Sequence, residues 1–320
     1  MLRSRFPGHE LRFFAAKLTE AELPAERDFD ALAVFVDSRV TDKVLSSFPK
    51  LKLVTTRSTG FDHIDVAACK KRKIAAVYVP GYGDNTVAEL AFGLILSLTR
   101  KLYLAIDQVK EIESFSQRGL RGIDLKGRTL GVIGTGRIGK EAIRIGNGFG
   151  MHIIAFDPFP DAAAAKALGF SYTTLEGVLA ASDVITIHCP LSDMTRHLIN
   201  RENVGYIKRG AYLVNTARGG IVETAALVHA LEEGILAGAG LDVLEEEGDT
   251  KDEMKFLSQT NPREATMRVL LENHALMRMP NVLITPHNAF NSEEAFQRIL
   301  ETTMKNIETF IAGKPVNLIP

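Results

Sequence analysis

At 320 residues the chain is long enough for about two domains. Its 38 Lys plus Arg offset 39 Asp plus Glu, so a formal net charge of −1 provides no strong field for nucleic acid or an anionic membrane. Hydrophobic residues make up 46% and charged residues 24%, an ordinary globular composition, and two cysteines are too few for a disulfide scaffold. Cys69 and Cys189 as free thiols fit a reducing compartment, and a cytoplasmic location is expected. The opening MLRSRFPGHELRFF holds no continuous apolar segment, which argues against a signal peptide. No stretch reaches the roughly 18 apolar residues of a spanning helix; the longest apolar face, 87–98, is broken by Glu89 and Gly93.

In chain order, short β-rich runs alternate with helical patterns. LRFF (11–14), AVFV (33–36), LKLVTT (51–56) and IAAVYV (74–79) come first. The segment 86–112 then reads as one long helix, with Thr86 as N-cap, Glu89 three residues on as in a capping box, and apolar positions at helical spacing. Strands resume with TLGVIG (129–134), HIIAF (152–156), DVITIH (183–188), AYLVN (211–215), GAGLDV (238–243) and VLIT (282–285). A last helical pattern, 292–312, is placed to pack back on the first domain. Apolar runs separated by 15–30 residues predict parallel strands covered by helices on both faces, an α/β fold. The pattern restarts after 86–112, which puts a domain junction near Tyr82–Thr86.

Gly134-Thr135-Gly136-Arg137-Ile138-Gly139 is a G-x-G-x-x-G. Alone it is a weak signal in a chain with 26 glycines. Here a β-type run precedes it, a helical pattern follows, and the next strand ends at Asp157, 18 residues after Gly139. Gly134 permits the tight turn, Gly136 lets backbone approach a pyrophosphate, and Gly139 lets helix and strand pack closely. Asp157 is then expected to accept hydrogen bonds from the adenosine ribose and to repel a 2′-phosphate, favouring NAD over NADP. Its bland alternative is a strand-end turn residue before Pro158.

Hydride transfer to a 2-oxo acid needs a cation for the carboxylate and an acid for the carbonyl oxygen. Arg218, in NTARGG after the strand AYLVN, can grip a carboxylate bidentately, though a solvated loop arginine is an equal reading. Asp242 and Glu247 flank the end of GAGLDV, and His287 follows VLIT. A carboxylate beside His287 would favour its protonated form. The chain also holds His9, His63, His152, His188, His197, His229 and His274, and spacing does not choose among them. No metal site is expected.

RSTGFDHID (57–65), PGYGDNTVAE (80–89), GVIGTGRIG (131–139), HCP (188–190), NTARGG (215–220), LDVLEEE (241–247) and TPHNAF (285–290) share their order and spacing with one family. From about Leu11 to its C-terminus the chain resembles the D-isomer-specific 2-hydroxyacid dehydrogenases, most of all their D-lactate dehydrogenase branch. The resemblance implies that His287 is proton donor in reduction and base in oxidation, that Glu247 pairs with it and raises its pKa, and that Arg218 binds and polarises the 2-oxo acid. It implies that Asp242 orients the nicotinamide carboxamide and that Arg137 and Ile138 contact the pyrophosphate through backbone. Cys189, Pro190, Thr195, Thr216 and Ala217 would line the cofactor cleft. Thr59 and Gly60 would hold the substrate carboxylate by backbone amides, Tyr82 would close over the substrate, and the aromatic Phe290 would sit against a small side chain.

The resemblance also implies two doubly wound parallel-sheet domains. A Rossmann-type NAD-binding domain, 84–289, would be inserted into a flavodoxin-like substrate domain formed by 1–83 and 290–320. A dimer-forming helix would start near Thr86, and a homodimer is expected.

Two departures from the family pattern stand out. Only ten residues precede Leu11, where the family usually has a further strand and helix, so a substrate domain without its first strand is expected. The stretch between Glu247 and Pro280 is long and reads as two helical pieces, DEMKFLS and PREATMRVLLENHALMRM, a surface insertion. The activity expected is interconversion of a small, pyruvate-like 2-oxo acid and its D-2-hydroxy acid. The alternatives are a dehydrogenase for hydroxypyruvate, glyoxylate or another 2-oxo acid, and a non-catalytic NAD-sensing partner protein.

Overall fold

Among the described residues, ten short parallel strands in two separate sheets carry the chain. The computed structural model describes residues 2–251 and 263–320, and these fall into two units, Met1–Tyr82 with Asn291–Pro320 and Gly83–Phe290.

The first unit opens with α1 (Leu2–Arg5) and then alternates β1 (Ala31–Val34), α2 (Asp42–Ser46), β2 (Leu53–Thr56), α3 (Val66–Lys71) and β3 (Ala75–Val77). The strands pair in parallel in the order β1-β2-β3. Each crossover helix starts on a side-chain cap, Thr41 accepting from the Val44 amide and Asp65 from that of Ala68, which satisfies orphan first-turn donors. All four β2 residues are buried, because apolar side chains cover both faces of this central strand.

LRFF forms no strand. Phe13 and Phe14 are 61% and 55% exposed, and Arg12 is drawn outward by Glu10 and Glu26. Four residues with a charge in the second place give no edge a reason to pair, and β-propensity without a neighbouring strand decides little.

The second unit runs through α4 (Asp84–Thr99), α5 (Leu102–Lys110), β4 (Thr129–Ile133), α6 (Arg137–Gly148), β5 (His152–Phe156), α7 (Ala162–Leu168), β6 (Ser171–Tyr172), α8 (Leu175–Ala181) and β7 (Val184–Ile187). It continues with β8 (Ala211–Asn215), α9 (Thr224–Glu232), β9 (Leu236–Leu241), α10 (Glu247–Lys251), α11 (Glu264–Arg278) and β10 (Val282–Ile284). The long α12 (Glu293–Ile311) returns to the first unit, capped by Ser292.

The seven strands of the second sheet are parallel in the order β10-β9-β8-β7-β4-β5-β6. The direction of winding reverses between β4 and β7, the doubly wound order with its switch point there. Alternation along each strand sends side chains to opposite faces. Leu130 and Val132 of β4 join the core beneath α4 and α6, while Ile133 joins the one beneath α8 and α9.

The single helix expected over 86–112 is two. α4 starts at Asp84, so Thr86 lies buried inside its first turn and is not the cap, and Glu89 accepts from Asn85. α4 stops because the Ile123 amide takes the Thr99 carbonyl and Lys101 turns left-handed at φ +52°. β6, two residues long, escaped the sequence reading. In the long stretch before Pro280, the second helical piece is α11, and DEMKFLS lies outside the described residues. Among the described residues no helix is long and apolar enough to cross a membrane.

Candidate active site

One row of strand partners builds the site's floor. Phe156, Ile133, Ile187, Asn215, Leu241 and Ile284 are successive cross-strand partners at the carboxyl ends of β5, β4, β7, β8, β9 and β10. The next residue of each strand is Asp157, Gly134, His188, Thr216, Asp242 or Thr285. Parallel strands thus bring residues far apart in sequence to a single edge, where open α/β sheets hold their ligands.

At the β4 end, Gly134 turns at φ +93°, and a Cβ there would lie 2.6 Å from the Cys189 amide nitrogen. A Cβ on Gly139 would lie 2.0 Å from the Gly134 carbonyl oxygen, so helix and loop touch through backbone. Gly136 differs, since a Cβ there would meet nothing within 4 Å. It caps α6 with no side-chain hydrogen bond, leaving the amides of the first turn, Arg137 and Ile138 included, for an anion. The Arg137 side chain pairs with Asp84 at 2.7 Å.

Asp157 receives the Thr135 amide at 2.8 Å and its hydroxyl at 3.1 Å on one oxygen, and the Phe159 amide at 2.9 Å on the other. This ties the glycine loop to the β5 end. Beside it, Cys189 is half-buried, and burial pushes its thiol up to about 11, so it stays protonated at neutral pH. Thr195 folds the loop after Pro190 by donating to the Pro190 carbonyl at 2.6 Å. His188 is buried, its Nε2 2.9 Å from the Thr186 hydroxyl, and desolvation drops its pKa to about 4. The His188 Nδ1 and Thr216 hydroxyl, both buried, have no protein partner.

After β8, Asn215 braces the turn, accepting from the Ala217 amide and donating to the Arg218 carbonyl. The Arg218 guanidinium reaches the Ala217 carbonyl at 2.8 Å. After β9, Asp242 is almost fully buried, and burial raises its carboxyl above the ordinary value. Its oxygens accept the Thr285 hydroxyl and the amides of Asn288 and Ala289, both at 2.8 Å, so Asp242 pins the loop that carries His287. The Asp242 carbonyl also takes the His287 amide at 2.8 Å. His287 sits at φ +53°, and its Nδ1 lies 2.7 Å from Glu247 Oε1. An ionised carboxylate only accepts, so Nδ1 carries the proton and Nε2 is left for chemistry. Phe290, half-buried, closes this loop.

Three expected residues belong to the first unit. The Thr59 hydroxyl donates to the Val79 carbonyl at 2.8 Å, and Ser58 donates to the Gly60 carbonyl at 2.6 Å, which rigidifies the turn after β2. The Tyr82 carbonyl accepts from Arg298 of α12 at 2.6 Å.

Sequence reading did not single out Thr135, His188 or Thr285 as contributors to this edge. Thr135 was legible as the residue inside the glycine motif; the others required the strand register. Among the described residues, no group of three or more His, Cys, Asp or Glu could hold a metal ion.

A glycine-loop helix start, an acidic strand end and a histidine–carboxylate pair on one sheet edge define a dinucleotide-dependent oxidoreductase. Residues 92–289 match the model of the NAD binding domain of D-isomer specific 2-hydroxyacid dehydrogenases. The chain is 37% identical over 310 residues to a 2-hydroxyacid dehydrogenase homolog of Zymomonas mobilis, spanning 96% of this chain and 91% of the relative. It is 37% identical to the D-lactate dehydrogenase of Escherichia coli, again over 96% and 91%. Among solved structures, the D-lactate dehydrogenase of Aquifex aeolicus, complexed with NAD and lactic acid, superposes with a TM-score of 0.87 at 35% identity, covering 98% of this chain and 92% of that one. The chain belongs to the D-isomer specific 2-hydroxyacid dehydrogenase family and is an NAD-dependent oxidoreductase.

The residues present fit that cofactor. The uncapped α6 start behind Gly136, the open space at Gly136 and the unpartnered polar atoms of His188 and Thr216 suit a polar, anionic ligand along the edge.

Proposed function

We propose that the enzyme reduces a small, uncharged 2-oxo acid of the pyruvate class to its D-2-hydroxy acid and runs the reverse oxidation. The observation that carries this reading is the 2.7 Å His287–Glu247 contact at the carboxyl edge of the sheet. NADH, when held at the glycine loop, would supply the hydride for the carbonyl carbon. His287, held with Nε2 free, delivers a proton to the carbonyl oxygen and recovers one in oxidation. Glu247 holds the ring in place and fixes its tautomer. Arg218 binds the substrate carboxylate and polarises the neighbouring carbonyl. Hydride and proton together convert the 2-oxo group to the hydroxyl.

Gly134, Gly136, Arg137, Ile138, Gly139, Asp157, Cys189, Pro190, Thr195, Thr216, Ala217 and Asp242 form the proposed NAD site, with Asp157 excluding a 2′-phosphate. The proposed substrate domain comprises 1–83 and 290–320, with 84–289 as the NAD-binding domain. Thr59, Gly60, Tyr82 and Phe290 complete substrate binding; Tyr82 and Phe290 suit a small apolar substituent, and the family resemblance supplies the D stereochemistry. The similarity to a D-lactate dehydrogenase at 37% identity supports the pyruvate class. We propose a cytoplasmic homodimer, on the free thiols and on the apolar residues exposed along α5.

A panel of 2-oxo acids with NADH and NADPH tests the substrate and cofactor together. Pyruvate with NADH is expected to turn over fastest, and a faster phosphorylated or aromatic acid would overturn the assignment. His287→Ala is expected to lower kcat by about 10²- to 10⁴-fold, with the NADH Kd nearly unchanged. An unaltered rate would refute the proton-donor role.

A further inference from the structure

Glu247 begins α10, a helix of five residues, too short to hold a side chain in place by its own stability. Its placement comes from the residues just before it. Two positions earlier, Glu245 is mostly buried, and both its carboxylate oxygens are engaged. Oε1 lies 2.6 Å from Nε2 of His197, and Oε2 accepts the Thr224 hydroxyl at 2.8 Å and the Thr224 amide at 3.2 Å. The Glu245 carbonyl accepts from Asn273, a fully buried residue of α11, at 2.9 Å. Glu246 then turns left-handed at φ +51°, which sends the chain into α10.

The other side of this clamp reaches Arg218. The His197 amide donates to the Gly220 carbonyl at 2.8 Å, two residues after Arg218. A Cβ on Gly219 would lie 2.0 Å from the Leu244 carbonyl carbon and 2.2 Å from the Glu245 nitrogen, so the two backbones touch. The loop after β8 and the loop after β9 are therefore joined through His197 and Glu245. Neither side chain belongs to the catalytic set proposed above.

The geometry points to His197 and Glu245 as positioning residues. Their pair holds Glu247 at His287 and sets its register to Arg218. This rests on the proposed roles of Glu247 and His287, and a double-mutant cycle separates the two ideas. His197 is the better site to alter, because its side chain is 38% exposed and its removal leaves no large void.

Four enzymes are compared with wild type: His197→Ala, His197→Gln, Glu247→Gln, and the double variant of His197→Ala with Glu247→Gln. Each is measured for kcat with a 2-oxo acid, for NADH Kd and for Tm. His197→Ala is expected to lower kcat by about tenfold or more, with NADH Kd within about twofold. His197→Gln places an amide donor at the same position and is expected to restore kcat to within about threefold. In the Glu247→Gln background, His197→Ala is expected to cost less than about twofold more, because its effect passes through Glu247. Losses that multiply in the double variant, or a lowered Tm with kcat intact, overturn the positioning role. A Glu247→Gln enzyme as fast as wild type instead overturns the catalytic reading, whatever the Tm values show.

Discussion

His188 sits at the sheet edge proposed to hold the cofactor, and its burial gives the protein a pH dependence of its own. Burial lowers its pKa from 6.5 to about 4 in the folded chain, while the unfolded chain keeps the ordinary value. Above pH 6.5 both states are neutral at this residue and nothing is lost. Between pH 6.5 and 4 the unfolded state takes up a proton that the folded state refuses, so stability falls as pH falls. The full difference corresponds to about 3 kcal/mol. Urea unfolding of wild type and His188→Gln is expected to show a stability gap that narrows by about that amount from pH 7 to pH 4. A gap that stays constant with pH would show that His188 protonates as readily in the fold as outside it.

At the scale of elements, the glycine loop separates packing from binding. Gly139→Ala puts a methyl 2.0 Å from the Gly134 carbonyl oxygen, so helix and loop must part. A stability loss of about 1–3 kcal/mol is expected, along with weaker NADH binding. Gly136→Ala meets no protein atom within 4 Å, and its φ of −64° suits alanine. It is expected to leave Tm unchanged and still weaken NADH binding, because its methyl points into the space assigned to the pyrophosphate. Calorimetry and NADH fluorescence titration read the two effects; a Gly136→Ala enzyme that binds NADH like wild type would move the pyrophosphate elsewhere. The strands of this sheet were legible as apolar runs, since parallel strands covered on both faces cannot alternate with polar residues. The end of α4 was not legible, because a distant amide, Ile123, takes the Thr99 carbonyl. LRFF misled for the related reason that four apolar-leaning residues look alike whether or not an edge receives them. The site divides the same way. Gly134 to Asp157 is local and could be read from spacing, whereas His197 meets Glu245 across 48 residues, a contact between loops that only the folded chain reveals.

At the scale of the whole molecule, the apolar residues that remain uncovered bear on assembly. α5 exposes Leu102, Ile106 and Val109 at 47%, 52% and 47%, spaced so that they share one face, and Ile112 and Phe115 follow at 71% and 96%. No side chain of α5 is buried within the chain. Scattered exposed apolar residues need no explanation, but a face of this kind on one short helix is a candidate contact surface. A second copy of the chain is the proposed occupant, which agrees with the family expectation of a dimer-forming segment that starts near Thr86. Two copies meeting at this helix would each cover the other's stripe, as a two-fold contact requires. Sedimentation equilibrium at micromolar concentration is expected to give twice the chain mass for wild type. Ile106→Glu would place two like charges in a desolvated contact and is expected to give the monomer, with Tm at high dilution close to that of wild type. A monomeric wild type, or a dimer that survives Ile106→Glu together with Leu102→Glu, would assign this face to another role.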